Sequence, residues 1–316
     1  MKAAVVTAFD VAPVYTEFPE PVATGPHDIV VDVVAAGLHP RVRSQADGSH
    51  YTSTDELPLV PGVDGVGRDP DGRLRYFVLD GTVSGSMAER TVVDARRSVV
   101  LPDGVGGPDP VAVAAAMNPA MSSWVALRRR IGFRAGQDVL VLGATGNAGR
   151  TAVQVARRLG AGRIVAAGRN ADLLAGLPAL GATATTTLDA GGLGAAAADV
   201  DVVLDYVWGE PTAAAMAAVV TARADRSRPL TWVEIGSVAG PTAAIGSAAL
   251  RAARLEIVGS GQGSVPTGDI VAELAALAGE IGTGTFAVDA AAVPLSDVER
   301  AWGKSVHTGR RIVMTP

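Results

Sequence analysis

A chain of 316 residues exceeds what one hydrophobic core usually organises, so two domains are expected, and 48% hydrophobic with 19% charged residues is a globular rather than a disordered composition. A net charge of −5 argues against nucleic acid as a partner, and the run Arg128-Arg129-Arg130 reads as the solvated end of a helix. With no cysteine, disulfides, thiol nucleophiles and thiolate zinc sites are excluded, which fits a reducing cytoplasm.

At the N-terminus Asp10 interrupts the apolar run after Lys2 before a secretory core could form, and no later segment is expected to span a bilayer. The first hundred residues are β-prone in short runs: Ala3–Thr7, Asp28–Ala35, Gly85–Val93 and Ser98–Leu101, punctuated by Pro and Gly. Such spacing with long irregular connections predicts a partly open barrel. From Asp109 the character changes, and Val111–Met117 and Met121–Arg130 are predicted helices.

The stretch Asp138 to Gly149 follows. An apolar run, Val139-Leu140-Val141-Leu142, breaks into Gly143, Gly146 and Gly149, and Val153, Val155, Ala156 and Leu159 then recur at helical spacing. Strand, tight turn and helix in that order form a phosphate cradle. Gly143 permits the turn, Gly146 lets the backbone approach a pyrophosphate, and Gly149 lets the helix pack close, while free N–H groups and the helix dipole face the anion. Thr145, Asn147, Ala148 and Arg150 complete the expected dinucleotide contacts.

Beyond the cradle the periods alternate. Strands are predicted at 163–167, 182–187, 201–205, 230–235 and 255–259, with helices near 171–180, 210–220 and 243–253. Gly191–Ala198 reads as a loop or weak helix. This alternation means a doubly wound parallel sheet. The tail departs from it, with a helix over 269–282, a strand near Thr285–Val288, a helix at 297–302 and a strand at 310–314, as if returning to the first domain.

About twenty residues past the cradle, where an NAD site places an acid, the chain offers Gly168-Arg169-Asn170 and no carboxylate before Asp172. NADPH is therefore expected over NADH, with Arg169, and secondarily Arg150, facing the 2′-phosphate. Gly236, Ser237, Ser260 and Gly261 end later strands, where ribose and nicotinamide would pass.

Several further stretches carry a resemblance: Ala35-Ala36-Gly37-Leu38-His39-Pro40, Leu57 to Gly67, Ala114 to Pro119 through Trp124, and Glu234-Ile235-Gly236-Ser237. With the cradle and the final strand they resemble the zinc-free, quinone oxidoreductase-like branch of the medium-chain dehydrogenase/reductase superfamily, over nearly the whole chain. The resemblance implies an α/β protein: a GroES-like barrel domain from residues 1–115 and 263–316, a Rossmann domain from 116–262, and an active cleft where they meet. It also implies a homodimer through Leu255–Gly259. At the positions matching the zinc ligands of other members stand His39, Val63 and Asn118, a set too poor in donors for zinc.

Without a metal, hydride transfer needs an electrophilic carbon whose developing charge is stabilised by conjugation. The expected activity is thus NADPH-dependent reduction of an activated C=C bond or a quinone. The alternatives are an NADP-dependent alcohol dehydrogenase and a non-catalytic NADPH-binding scaffold or sensor. The resemblance points to Tyr51 and Ser122 as hydroxyls lining the cleft. His39, standing where that branch commonly has Asn, either donates to the substrate oxygen or the nicotinamide amide, or satisfies a backbone carbonyl. His27 and His307 read as peripheral. The only partner expected is a small-molecule substrate, with no nucleic acid and no membrane.

Overall fold

The computed structural model describes residues 1–102, 107–303 and 310–316; His307 lies outside them. The chain forms two compact units, one of Met1–Asn118 with Val271–Pro316 and one of Pro119–Ile270.

The first unit opens with a hairpin, β1 (Lys2–Val5) against β2 (Val14–Glu17). The long strand β3 (Asp28–Leu38) then organises the larger sheet. It pairs with β4 (Asp64–Arg68) and β6 (Arg90–Asp94), and β5 (Leu74–Val78) and β7 (Ser98–Val100) continue the sheet from β4. Close approach dictates glycine here: a Cβ on Gly67 would lie 2.4 Å from Val31 Cγ1. Strands β2, β4 and β5 escaped the sequence reading because glycines and charges hide their alternation. In the predicted strand 85–93, only the part from Arg90 joins one.

The two helices predicted around Pro119 are one. A helix runs Pro110–Val125 with Pro119 inside and continues as a wider turn, Ala126–Arg130. Proline forfeits a helical hydrogen bond, but Val113–Met117 before it and Trp124–Leu127 after it are buried, and that burial holds both halves in register. The 21 residues Pro110–Arg130 are long and apolar enough to cross a membrane by length and composition, but 67% of the 18-residue apolar window within them is buried inside the protein, as in a core helix. Arg128 lies over the Trp124 ring, and Arg130 Nε donates to Gly259 O at 2.8 Å.

The second unit carries a six-stranded parallel sheet: β8 (Val139–Leu142), β9 (Ile164–Gly168), β10 (Ala184–Thr187), β11 (Val202–Asp205), β12 (Leu230–Glu234) and β13 (Leu255–Gly259). The spatial order is β10-β9-β8-β11-β12-β13, so the chain reverses direction across the sheet between β8 and β11. That is the doubly wound order, with its switch point at the end of β8. Every residue of β8, β9 and β11 is buried, as a parallel sheet covered on both faces requires. Gly191–Ala198 falls in a helix, Ala190–Ala197, capped by Asp189 through Gly192 N and anchored by buried Leu193 and Ala197.

The tail then returns to the first unit. After the helix Thr267–Gly282, β14 (Ala290–Pro294) pairs with β15 (Arg311–Thr315), which runs antiparallel to β3. The strand expected at Thr285–Val288 is absent: Thr285 N closes the preceding helix on Glu280 O, and pairing starts only where Arg311 N meets Asp289 O.

Asp205 at the end of β11 holds the topological switch together. Fully buried, it accepts from Val207 N (2.8 Å), Trp208 N (3.1 Å), Thr212 Oγ1 (2.7 Å) and Trp232 Nε1 (2.9 Å). These bonds pin Trp208 in a left-handed conformation, φ 52°, that a bulky residue avoids unless its surroundings impose it. Replacing Asp205 by Ala strands four donors, three of them in buried bonds, and is expected to cost about 3 kcal/mol or more in urea unfolding. A loss below about 1 kcal/mol would show the carboxylate to be dispensable.

Candidate functional site

In the second unit, the turn between β8 and the helix Asn147–Arg158 has the geometry of an anion cradle. Gly143 sits at φ 79°, and a Cβ there would meet Val207 and Tyr206 at 3.1 and 3.4 Å. A Cβ on Gly149 would lie 2.2 Å from Gly143 O, so only glycine lets the helix approach this closely. Gly146 differs: its added Cβ would touch only Gly143 O, at 3.5 Å, so the fold itself imposes little there. Gly146 heads the helix without a side-chain cap, leaving the first-turn N–H groups of Asn147, Ala148 and Gly149 to an external acceptor. These features fit the pyrophosphate of a dinucleotide.

Around the cradle, Thr145 packs against the end of β9, where a Cβ on Gly168 would come within 2.6 Å of its Cγ2. Arg169 and Asn170 follow, both exposed. Asn170 caps the next helix by accepting from Leu173 N at 3.0 Å, and so serves the fold whatever else it does. The guanidinium of Arg169 makes no hydrogen bond or ion pair among the described residues, and neither does that of half-buried Arg150. Gly236 N is bonded to Asp205 O, Ser237 is exposed, Ser260 N is bonded to Glu234 O at 2.8 Å, and Gly261 N to Ser264 Oγ at 2.8 Å. All of these follow the carboxyl ends of the parallel strands.

Ser122 is half-buried in the same unit. Its hydroxyl donates to Pro119 O at 2.8 Å and pairs with the Tyr206 hydroxyl at 3.0 Å. Burial pushes Tyr206 up to about 12, so it remains a neutral phenol at any physiological pH. The hydroxyl contact of Tyr206 with Ser122 spans 84 positions and has no periodic signal in the sequence.

In the first unit His39 is buried, and its partner is a carboxylate rather than a backbone carbonyl. Nε2 lies 3.0 Å from Asp64 Oδ1, and Tyr76 donates its hydroxyl to Asp64 Oδ2 at 2.8 Å. Ser86 Oγ donates to the Asp64 carbonyl at 2.6 Å. Arg311, 3% exposed, contributes a cation to this region; burial draws it down to about 10 while Asp64 pulls the other way. Burial lowers the pKa of His39 most, the charges of Arg311 and Arg41 lower it further, and Asp64 opposes them. Asp64, Tyr76 and Arg311 went unread in the sequence. The available signal was Asp64 itself, the one acid within Val60-Pro61-Gly62-Val63-Asp64-Gly65-Val66-Gly67.

The zinc positions of the resembling superfamily do not fit a zinc ion here. Val63 has no donor atom, the Nε2 of His39 is committed to Asp64, and Asn118 is half-buried. No cluster of three or more His, Asp or Glu side chains suited to a metal occurs among the described residues.

Tyr51 is 71% exposed and stacks on His50, with ring centroids 4.3 Å apart. The segment beneath it is fixed by Arg41 Nη2 donating to Thr52 Oγ1 and by His50 N donating to Ser44 O. Burial, with Arg41 beside it, lowers His50 to about 4. The folded state therefore binds its proton less readily than the unfolded chain. Stability from this group is present above pH about 6.5 and is lost as pH falls toward about 4. A His50→Gln variant is expected to lose less thermal midpoint between pH 7 and pH 4.5 than the parent; parallel losses would remove His50 from the acid response.

No family model matches the chain. A probable NADPH-dependent quinone reductase, tdiC, of Emericella nidulans is 31% identical over 346 residues, covering 96% of each chain. A 2-methylene-furan-3-one reductase of Solanum lycopersicum is 29% identical over 170 residues, 49% of this chain and 43% of that protein. Among solved structures, the quinone oxidoreductase of Thermus thermophilus, described also in complex with NADPH, superposes with a TM-score of 0.82 at 26% identity, over the full length of both chains. With the parallel dinucleotide-binding sheet in one unit, the β-sheet unit assembled from both chain ends, and a relative this similar over nearly its whole length, the chain belongs to the quinone oxidoreductase branch of the medium-chain dehydrogenase/reductase superfamily.

Proposed function

We propose that the protein is an NADPH-dependent reductase that delivers hydride to a quinone or to the activated C=C bond of an α,β-unsaturated carbonyl, without a metal. The observation that carries this reading is the uncapped cradle at Gly143–Gly149 with an uncommitted Arg169 at the end of β9. The full-length likeness to a quinone reductase and the partial likeness to an enone reductase support it.

The nicotinamide, when bound, supplies the hydride. The chain's own groups bind and orient. The N–H groups of Asn147, Ala148 and Gly149 take the pyrophosphate, and Gly146 leaves room for it. Arg169, helped by Arg150, pairs with the 2′-phosphate through its planar fork. Gly236, Ser237, Ser260 and Gly261 line the path of ribose and nicotinamide. The hydroxyl of Tyr51 serves as a hydrogen-bond donor to the substrate oxygen, and Ser122, whose proton goes to Pro119 O, meets the nicotinamide as an acceptor. His39 meets the bound nucleotide or substrate through its ring.

A quinone or enone suits a site without a Lewis acid because conjugation spreads the charge that hydride addition creates. The dipole of the helix Asn147–Arg158 and a cationic Arg169 favour the more highly charged dinucleotide. The protein is further proposed to act in the cytoplasm and to pair as a homodimer along β13, whose outer edge has no strand partner among the described residues.

Purified protein should oxidise NADPH in the presence of enones or p-benzoquinone. Turnover of primary or secondary alcohols with NADP alone would instead identify an alcohol dehydrogenase, and tight NADPH binding with no turnover a scaffold. Arg169→Ala is expected to raise KM for NADPH by about tenfold and to leave KM for NADH within about twofold. Equal changes for both nucleotides would remove Arg169 from the phosphate site.

A further inference from the structure

We propose that Asp64, braced by Tyr76, is a positioning residue that fixes His39 as the Nε2–H tautomer, so that its bare Nδ1 accepts one hydrogen bond from an N–H or O–H of the bound nucleotide or substrate. This rests on the assignment of His39 to the reaction site, and adds to it the direction of the hydrogen bond and the residues that set it.

Three side chains, none more than 1% exposed, form a chain: Tyr76 hydroxyl to Asp64 Oδ2 at 2.8 Å, and Asp64 Oδ1 to His39 Nε2 at 3.0 Å. Burial, then Asp64, push the Tyr76 phenol well above its ordinary range, so it keeps its proton and donates. With Oδ2 taking the Tyr76 hydroxyl and Oδ1 facing the ring, the carboxylate is the acceptor on both sides, so the hydrogen between Asp64 and His39 resides on Nε2. With burial, Arg311 and Arg41 all opposing a second proton on the ring, Nδ1 carries a lone pair.

That lone pair has no partner. Nδ1 is buried and unmatched among the described residues, and His39, although it precedes the helix Pro40–Ala46, does not cap it. A purely structural His–Asp pair would match both ring nitrogens, because an unpaired buried acceptor destabilises the fold. A neutral Nδ1 also repels a carbonyl or enolate oxygen, so His39 is not the donor to the substrate oxygen. What it recognises is a donor, and two sources qualify: the carboxamide NH2 of the nicotinamide, or a hydroxyl on the substrate.

The tautomer is read directly from full-length, ligand-free protein labelled with 15N-histidine, with His39 assigned by its loss in His39→Gln. The expected spectrum has a protonated Nε2 and a bare Nδ1. In Asp64→Asn, Tyr76 holds the amide oxygen and turns the NH2 toward Nε2, which must then accept, so the proton moves to Nδ1. In Asp64→Asn/Tyr76→Phe the amide is free to present its oxygen, and the Nε2–H form is expected to return.

The flipped variant also separates the two donors. A rise of about fivefold in Kd for NADPH identifies the carboxamide. A similar rise in KM for a hydroxyl-bearing quinone relative to its methyl ether, with NADPH binding unmoved, identifies the substrate. A parent protein protonated on Nδ1 overturns the proposal, and so do unchanged constants for both ligands once the tautomer has flipped. The parent spectrum needs neither a variant nor turnover, so its result stands apart from a failure of the reductase reading, which shows as absent NADPH oxidation.

Discussion

The close approach of one helix to one strand end sets the character of the second unit. The Cα of Gly149 lies so near Gly143 O that a methyl group would come within 2.2 Å of it. Because the helix starts that near the strand, its first-turn N–H groups converge above the sheet at the point where strand order reverses. Any side chain at 149 would lift the helix and spread those donors. Gly143 provides the turn and Gly149 the contact; Gly146, with little in the fold to demand it, leaves room for a ligand.

Each unit also buries a carboxylate at its centre, and the two are handled differently. Asp205 is saturated by four donors and shapes the backbone after β11, holding Trp208 where it would not otherwise settle. Asp64 takes two side-chain donors, and one of them is an imidazole whose other nitrogen is left bare. Saturation marks a structural carboxylate, since every bond is made within the fold. A network that ends on an unmatched buried atom points to a group the fold does not contain.

The replacement of zinc ligands follows the same chemistry. At the position where metal-dependent relatives place a ligand, His39 keeps a nitrogen donor but turns it to Asp64, and Val63 closes the next position with an apolar side chain buried in the core. These side chains offer hydrogen bonds and apolar surface where zinc would need donor atoms.

The residue order by itself determined the local parts: the strand, turn and helix of the cradle, the alternation behind it, and the missing acid beside Arg169. These are legible because period, glycine placement and charge act over a few neighbouring residues. Three strands, β2, β4 and β5, were not: the glycines of β4 and the arginine within β5 break the alternation, and β2 is four mostly exposed residues with none to show. The strand expected at Thr285–Val288 failed for a related reason. β-Prone residues form a strand only where a partner offers hydrogen bonds, and β15 offers them from Asp289 onward. Only the tertiary structure joined His39 to Asp64, 25 positions away, and Asp64 to Tyr76, 12 further on. Which proton a buried imidazole keeps depends on charges brought together by folding, and no spacing along the chain encodes that.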